Sequence, residues 1–249
     1  MSSATAVHPS ETLRRRPDAR RRLLPEGHAI RSRVADISRL EAFSDAVFAF
    51  ALTLLVVSLE VPRSYDELIH TMRNFIGFAA SFAALIWIWF QHYSYFRRYG
   101  LSDPPTIVLN AILLFVVLLY VYPLKFLTTF VFDQLLDPAS AAPLSPRQSS
   151  DLVLIYSGGY VAVFLVFLLM HLYAYRQRHA LHLNRLELFD TRYAIESNVI
   201  NVAVGAASMA LAAVGAPSAV AGLVYLALGP IRAIHGARSG RRRRSLEPR

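Results

Sequence analysis

Long apolar runs separated by short polar links set the organisation of this chain. Six runs, near residues 40–60, 74–96, 106–127, 152–174, 193–213 and 217–235, each approach the roughly 20 residues that an α-helix needs to cross a hydrocarbon core. The pattern predicts an all-α membrane protein with six transmembrane helices. The fifth run is the most broken, with Glu196, Ser197, Asn198 and Asn201 in its first half and Gly205 among alanines in its second. Ser38-x-x-Glu41 reads as a capping box that starts the first helix near Arg39. Residues 1–36 are polar, proline-bearing and arginine-rich and read as a disordered basic tail. Residues 37–235 then form one transmembrane domain, and residues 236–249 form a second basic tail.

Charge adds a direction to this plan. Of the 26 Lys and Arg, all but Arg63, Arg73, Lys125 and Arg147 fall in the N-terminal stretch through Arg39, in the C-terminal end from Arg232, in the second-to-third link or in the fourth-to-fifth link. The positive-inside rule therefore predicts both termini in the cytoplasm. The net charge of +9 is thus a topology signal, and no nucleic-acid partner follows from it. The closing Arg241–Arg244 run either rests against anionic headgroups, at about 1 kcal/mol per residue, or simply anchors the topology. The external link near 128–151 carries Asp133, Asp137 and Asp151 among Pro138, Pro143 and Pro146, and predicts an irregular, mildly acidic loop. The chain has no cysteine, which excludes disulfides and thiolate metal sites. The apolar runs begin only near residue 42, far behind the arginines, which speaks against a cleaved secretory signal. Glu11, Asp18, Glu26 and Asp36 speak against a transit peptide.

Enzyme chemistry has little to stand on. His179 and His182 can share a helix face, but no carboxylate or third imidazole joins them at ligand spacing, so neither a metal site nor a cofactor is expected. Alternating-access transporters need broken helices at mid-membrane, whereas Pro62, Pro123 and Pro230 lie at predicted segment ends. Asp45 is more telling, because a charge at bilayer centre is disfavoured by about 2.5–3.5 kcal/mol. At about 1.5 Å per residue from Arg39 it lies only about 9 Å in. It is either a helix-start acid that suits the dipole or part of a site. His92 and Asn110 reach the same depth in an up-down bundle, so Asp45, Ser44, His92 and Asn110 can satisfy one another. The Trp87 and Trp89 pair with His92 also reads as an interfacial belt. Beyond Asp45, the stripe Ala46, Phe50, Thr53 or Leu54, and Val57 is apolar with one hydroxyl. It is either a lipid-facing or packing face, with Thr53 bonding its own backbone, or a face that lines a conduit. Ser157-Gly158-Gly159-Tyr160 lacks the Thr-Val-Gly-Tyr-Gly run of carbonyl-lined filters, and its glycines read as close packing.

Arg39-x-x-x-Phe43-Ser44-Asp45, continuing through Leu55, resembles the first-helix signature of the transmembrane protein 175 family, in its prokaryotic single-repeat branch. Trp89-x-x-His92, Leu109-Asn110 and the six-span plan carry the resemblance further. It implies a potassium-selective channel in a bacterial plasma membrane, a homotetramer with a pore lined by four copies of the first helix. It further implies a hydrophobic gate, with pore positions Phe50, Thr53, Leu54 and Val57. Arg39, Phe43, Ser44, Asp45, Trp89, His92 and Asn110 match the motif that packs this helix. Phe50 stands where many members carry isoleucine or leucine, and Tyr93 where many carry a second histidine. Two other functions are compatible with the residues: a proton-coupled carrier or leak relayed by Asp45, Glu196 and His92, and a non-conducting scaffold with lipid-binding tails.

Overall fold

A computed structural model describes residues 39–57, 62–136 and 144–244. The tail 1–36 and Ser38 of the expected capping box lie outside the described residues. The elements are α1 (Arg39–Val57), α2 (Tyr65–Tyr99), α3 (Pro104–Leu136), α4 (Pro146–Arg176), α5 (Arg185–Ala213) and α6 (Ser218–Leu223). A 3-10 turn at Val224–Ala227 then leads into α7 (Leu228–Arg244). Six stretches are long and apolar enough to span a membrane, the last being Ser218–Ala237, made of α6, the turn and most of α7. The chain is a multi-pass, all-helical membrane protein.

Local sequence sets the helix ends, and several helices outrun their apolar cores. Ser64 caps α2 by accepting from Glu67 N at 3.2 Å, while Arg63 N donates back to Glu67 Oε2 at 2.6 Å. Gly100, at φ 57°, closes α2 in the left-handed conformation that glycine adopts without strain. Ser145 and Gln148 form a reciprocal capping box with Pro146 in the first turn, so α4 starts six residues before the predicted run. Asn184 and Glu187 do the same for α5, which starts at Arg185. The expected irregular link at 128–151 is therefore mostly helical, with Leu144 and Ser145 outside the helices and 137–143 outside the described residues. Pro123 sits inside α3 rather than at its end. Spanning helices tolerate such prolines. Beyond it, Thr128 Oγ1 lies 3.0 Å from both Leu124 O and Lys125 O and 2.5 Å from Ser81 Oγ, a polar contact that ties α3 to α2. The basic C-terminal segment likewise continues as helix to Arg244.

Packing divides the helices unevenly. Among the described residues, α4 and α5 form the most extensive pair, α3 packs on α2 and α4, and α1 packs only on α2 and α3. α6 and α7 lie against α5, and α2 makes no close backbone approach to α5, α6 or α7. The main core runs through α1–α4 and contains Phe48, Leu55, Leu85, Tyr95, Phe96, Val117 and Phe167. Of the two adjacent glycines in α4, Gly159 allows close approach, since a Cβ there would lie 2.3 Å from the Tyr120 ring. Gly158 faces open space. The polar first half of α5 is continuous helix, with its two asparagines turned inward and Glu196 exposed. Asn198 and Asn201 are buried, and Tyr160 donates to Asn201 Oδ1 at 3.2 Å.

Candidate functional site

α1 has two faces of opposite character. Ser44, Phe48, Ala51 and Leu55, spaced by four, three and four residues, fall on one side of the helix and are fully buried against α2 and α3. The other side is bare within the subunit: Phe50 is 56% exposed, Val57 72%, and Ala46 and Thr53 are exposed with them. Leu54 stands at the edge between the faces and is half-buried. Thr53 Oγ1 donates to Ala49 O at 2.9 Å, so its hydroxyl proton is satisfied within the helix while an oxygen lone pair stays outward.

The buried side is fastened by a polar chain at its first turn. Asn110 of α3 donates from Nδ2 to Ser44 Oγ at 2.8 Å, and Ser44 donates to Leu40 O at 2.7 Å. Asn110 Oδ1 lies 2.8 Å from His92 Nε2 of α2. A carbonyl can only accept, so the proton of His92 is on Nε2 and the ring is held in that tautomer. Nδ1 then has no partner. The ring is clamped between Phe48, at 5.4 Å, and Phe96, at 4.7 Å between centroids. Ser44, His92 and Asn110 are each at most 1% exposed, so one hydrogen-bonded chain ties three helices together at a dry point.

Asp45 takes a different partner from its neighbour in sequence. Trp89 Nε1 donates to Asp45 Oδ1 at 2.9 Å. Trp89 stacks on Tyr93 at 5.6 Å, and Arg97 donates to the Tyr93 hydroxyl at 2.8 Å while lying 5.7 Å from its ring. The tyrosine in place of a second histidine thus props the tryptophan that holds Asp45, and the sequence alone did not show this role. Arg39 and Phe43 are exposed, Phe43 to 61%, and stand apart from the buried chain. The conceived relay of Asp45, Glu196 and His92 is not assembled: Glu196 lies 3.5 Å from His235 of α7, and His92 bonds Asn110. Among the described residues, no group of three His, Asp or Glu could hold a metal ion, His179 and His182 included.

The geometry defines a six-span, all-helical membrane protein whose first helix is buried on one side against α2 and α3 and exposed on the other. Residues 39–120, covering α1, α2 and half of α3, match the family described as endosomal/lysosomal potassium channel TMEM175. A protein of Marivirga tractuosa named potassium channel is 39% identical over 222 residues, covering 84% of this chain and 90% of that one. A named potassium channel of Chamaesiphon minutus is 28% identical over 141 residues, 53% of this chain and 63% of its own. Among solved structures, a variant of the potassium channel MtTMEM175, crystallised with a nanobody-MBP fusion protein, aligns with a TM-score of 0.73. That alignment has 37% identity over 84% of this chain and 96% of that one. A lysosomal potassium-selective channel TMEM175 homolog from Chamaesiphon minutus shares the fold at 22% identity and a TM-score of 0.54, over 81% of this chain and 96% of that one. The chain belongs to the TMEM175 family, whose described activity is that of a potassium channel and not of an enzyme.

Proposed function

We propose that the chain is the subunit of a potassium-selective channel in which four copies set the bare faces of α1 around a common axis. The observation that carries this is the division of α1 into a fully buried side and an apolar exposed side. Lipid is no better a solvent for Phe50 and Val57 than another protein face, so exposure alone does not require a pore. Membership of the family supports a common axis, and the fastening supports a fixed direction for the bare face. Phe50, Thr53 and Val57 then line the conduit, and half-buried Leu54 narrows it from the side. A ring of four apolar side chains excludes ions by expelling water, so permeation follows when the α1 helices shift or rotate. Potassium moves passively down its gradient, with no resident cofactor.

The arginine bias supports placing both termini in the cytoplasm of a bacterial cell. The test is flux through purified protein in liposomes under paired cation gradients, where potassium flux is expected to exceed sodium flux. No flux across several lipid compositions and voltages would overturn the channel reading and leave a scaffold. Flux driven by a pH gradient alone would mark a proton carrier instead.

A further inference from the structure

The arginine-rich end of the bundle holds an open cleft of about 660 Å³ between α2 on one side and α5 and α7 on the other. That volume lies within the roughly 300–1,000 Å³ of small-molecule sites. Its walls meet only through side chains, because α2 makes no close backbone approach to α5 or α7. Arg98 of α2 pairs with Asp190 of α5 at 3.6 Å, and the Arg232 guanidinium of α7 lies 5.8 Å from the Trp87 ring of α2. Trp87, Phe90, Ser94 and Arg98 recur every three or four residues and form the α2 wall.

Three features describe what the cleft would accept. Two guanidiniums, Arg98 and Arg232, face one carboxylate, so the lining is net positive. Arg232 is set in place by donating to Asn201 Oδ1 at 2.8 Å. Asn198 lies behind the α5 wall at 2% exposure, its Nδ2 donating to Ala194 O at 2.9 Å and lying 3.4 Å from His171 Nδ1. Finally, the wall is aromatic, and Trp87 and Phe90 lie within a stretch that spans the membrane, so the approach is apolar. Basic pockets between spanning helices are suited to acidic lipid headgroups.

We propose that this cleft binds an anionic membrane phospholipid. The phosphate is drawn to Arg98 and Arg232, and the glycerol and upper acyl chain lie on Trp87 and Phe90. The opposite face of α2 holds Asp45 through Trp89 and Asn110 through His92, so the lipid braces the helix that positions α1.

Trp87 and Trp89 are the chain's two tryptophans, which makes binding readable without ion flux and so independent of the channel assignment. Full-length protein in phosphatidylcholine vesicles is titrated with phosphatidylglycerol carrying brominated acyl chains. Quenching is expected to saturate and to exceed that from the same fraction of brominated phosphatidylcholine. Arg232→Gln is expected to raise the half-saturating fraction at least about tenfold, the loss of a charge-assisted contact. Ser94→Phe sets a ring on the α2 wall between Phe90 and Arg98 with all charges retained and is expected to weaken the saturable component, a second reading if Arg232→Gln fails to fold. Arg249→Gln is expected to change nothing. Equal quenching by both brominated lipids would overturn the proposal. So would equal loss in Arg249→Gln and Arg232→Gln, which marks diffuse charge attraction, or displacement by inorganic phosphate, which marks a free-anion site.

Discussion

Replacing Asn110 by alanine removes the residue that joins α1 to α2 through α3. The side chain is 1% exposed and makes two hydrogen bonds of 2.8 Å, one to Ser44 and one from His92. Interhelical hydrogen bonds in membranes average about 0.6 kcal/mol and reach about 1.7. Two of them therefore account for about 1–3 kcal/mol. Truncation also leaves the His92 Nε2 proton without an acceptor in a site from which water is excluded, a loss of about 1–3 kcal/mol. The two figures overlap, and Asn110→Ala is expected to destabilise the subunit by about 2–4 kcal/mol. Ser44→Ala removes one of the two bonds and is expected to lose about 0.5–1.5 kcal/mol. The double variant isolates the shared bond, because the Ser44 contact is already absent once Asn110 is shortened. Unfolding in mixed micelles with increasing denaturing detergent, followed by tryptophan fluorescence, measures all four corners. A coupling of about 0.6–1.7 kcal/mol is expected. If Ser44→Ala and Asn110→Ala add to within about 0.3 kcal/mol, the two residues do not act together and the fastening of α1 has been misread.

Four further outcomes follow. Gly159→Ala places a methyl 2.3 Å from the buried Tyr120 ring and is expected to cost about 1–3 kcal/mol, measured by the same unfolding assay. Gly158→Ala next to it meets no atom within 4 Å and is expected to be neutral or stabilising by up to about 1 kcal/mol. Phe50→Ala is expected to raise basal potassium conductance in planar bilayers; no change there, with a rise for Leu54→Ala, would move the narrowest layer one turn along α1. Trp89→Phe keeps the ring and deletes the donor to Asp45, so it is expected to weaken assembly, read by size-exclusion chromatography, while leaving ion preference intact.

Much of this architecture was legible because a membrane imposes a simple rule. Backbone groups in hydrocarbon must be paired within a helix, so an apolar run of sufficient length has one conformation open to it. All six spans follow from that rule. The ends of the helices did not, because Ser145, Gln148, Asn184 and Glu187 lie in polar sequence, where a capping box and not hydropathy sets the boundary. Ser44, His92 and Asn110 could be placed at one depth from helix rise alone, and the structure does bring them into one chain. The partner of Asp45 was not legible, since Trp89 and His92 lie three residues apart on α2 and depth could not say which faced α1. Glu196 and Asn198 were equally opaque, because their surroundings come from α4 and α7, far away in sequence.

The side of α1 that is held fast is held entirely by residues of its own chain. In the tetramer proposed above, a newly made subunit would therefore orient this helix before it meets another copy, and the surface it offers would already be formed at first encounter. Assembly would then be a docking of finished parts. Selection on the buried chain and selection on the bare face can then proceed separately, so the lining can drift in chemistry while the mounting that aims it stays as it is.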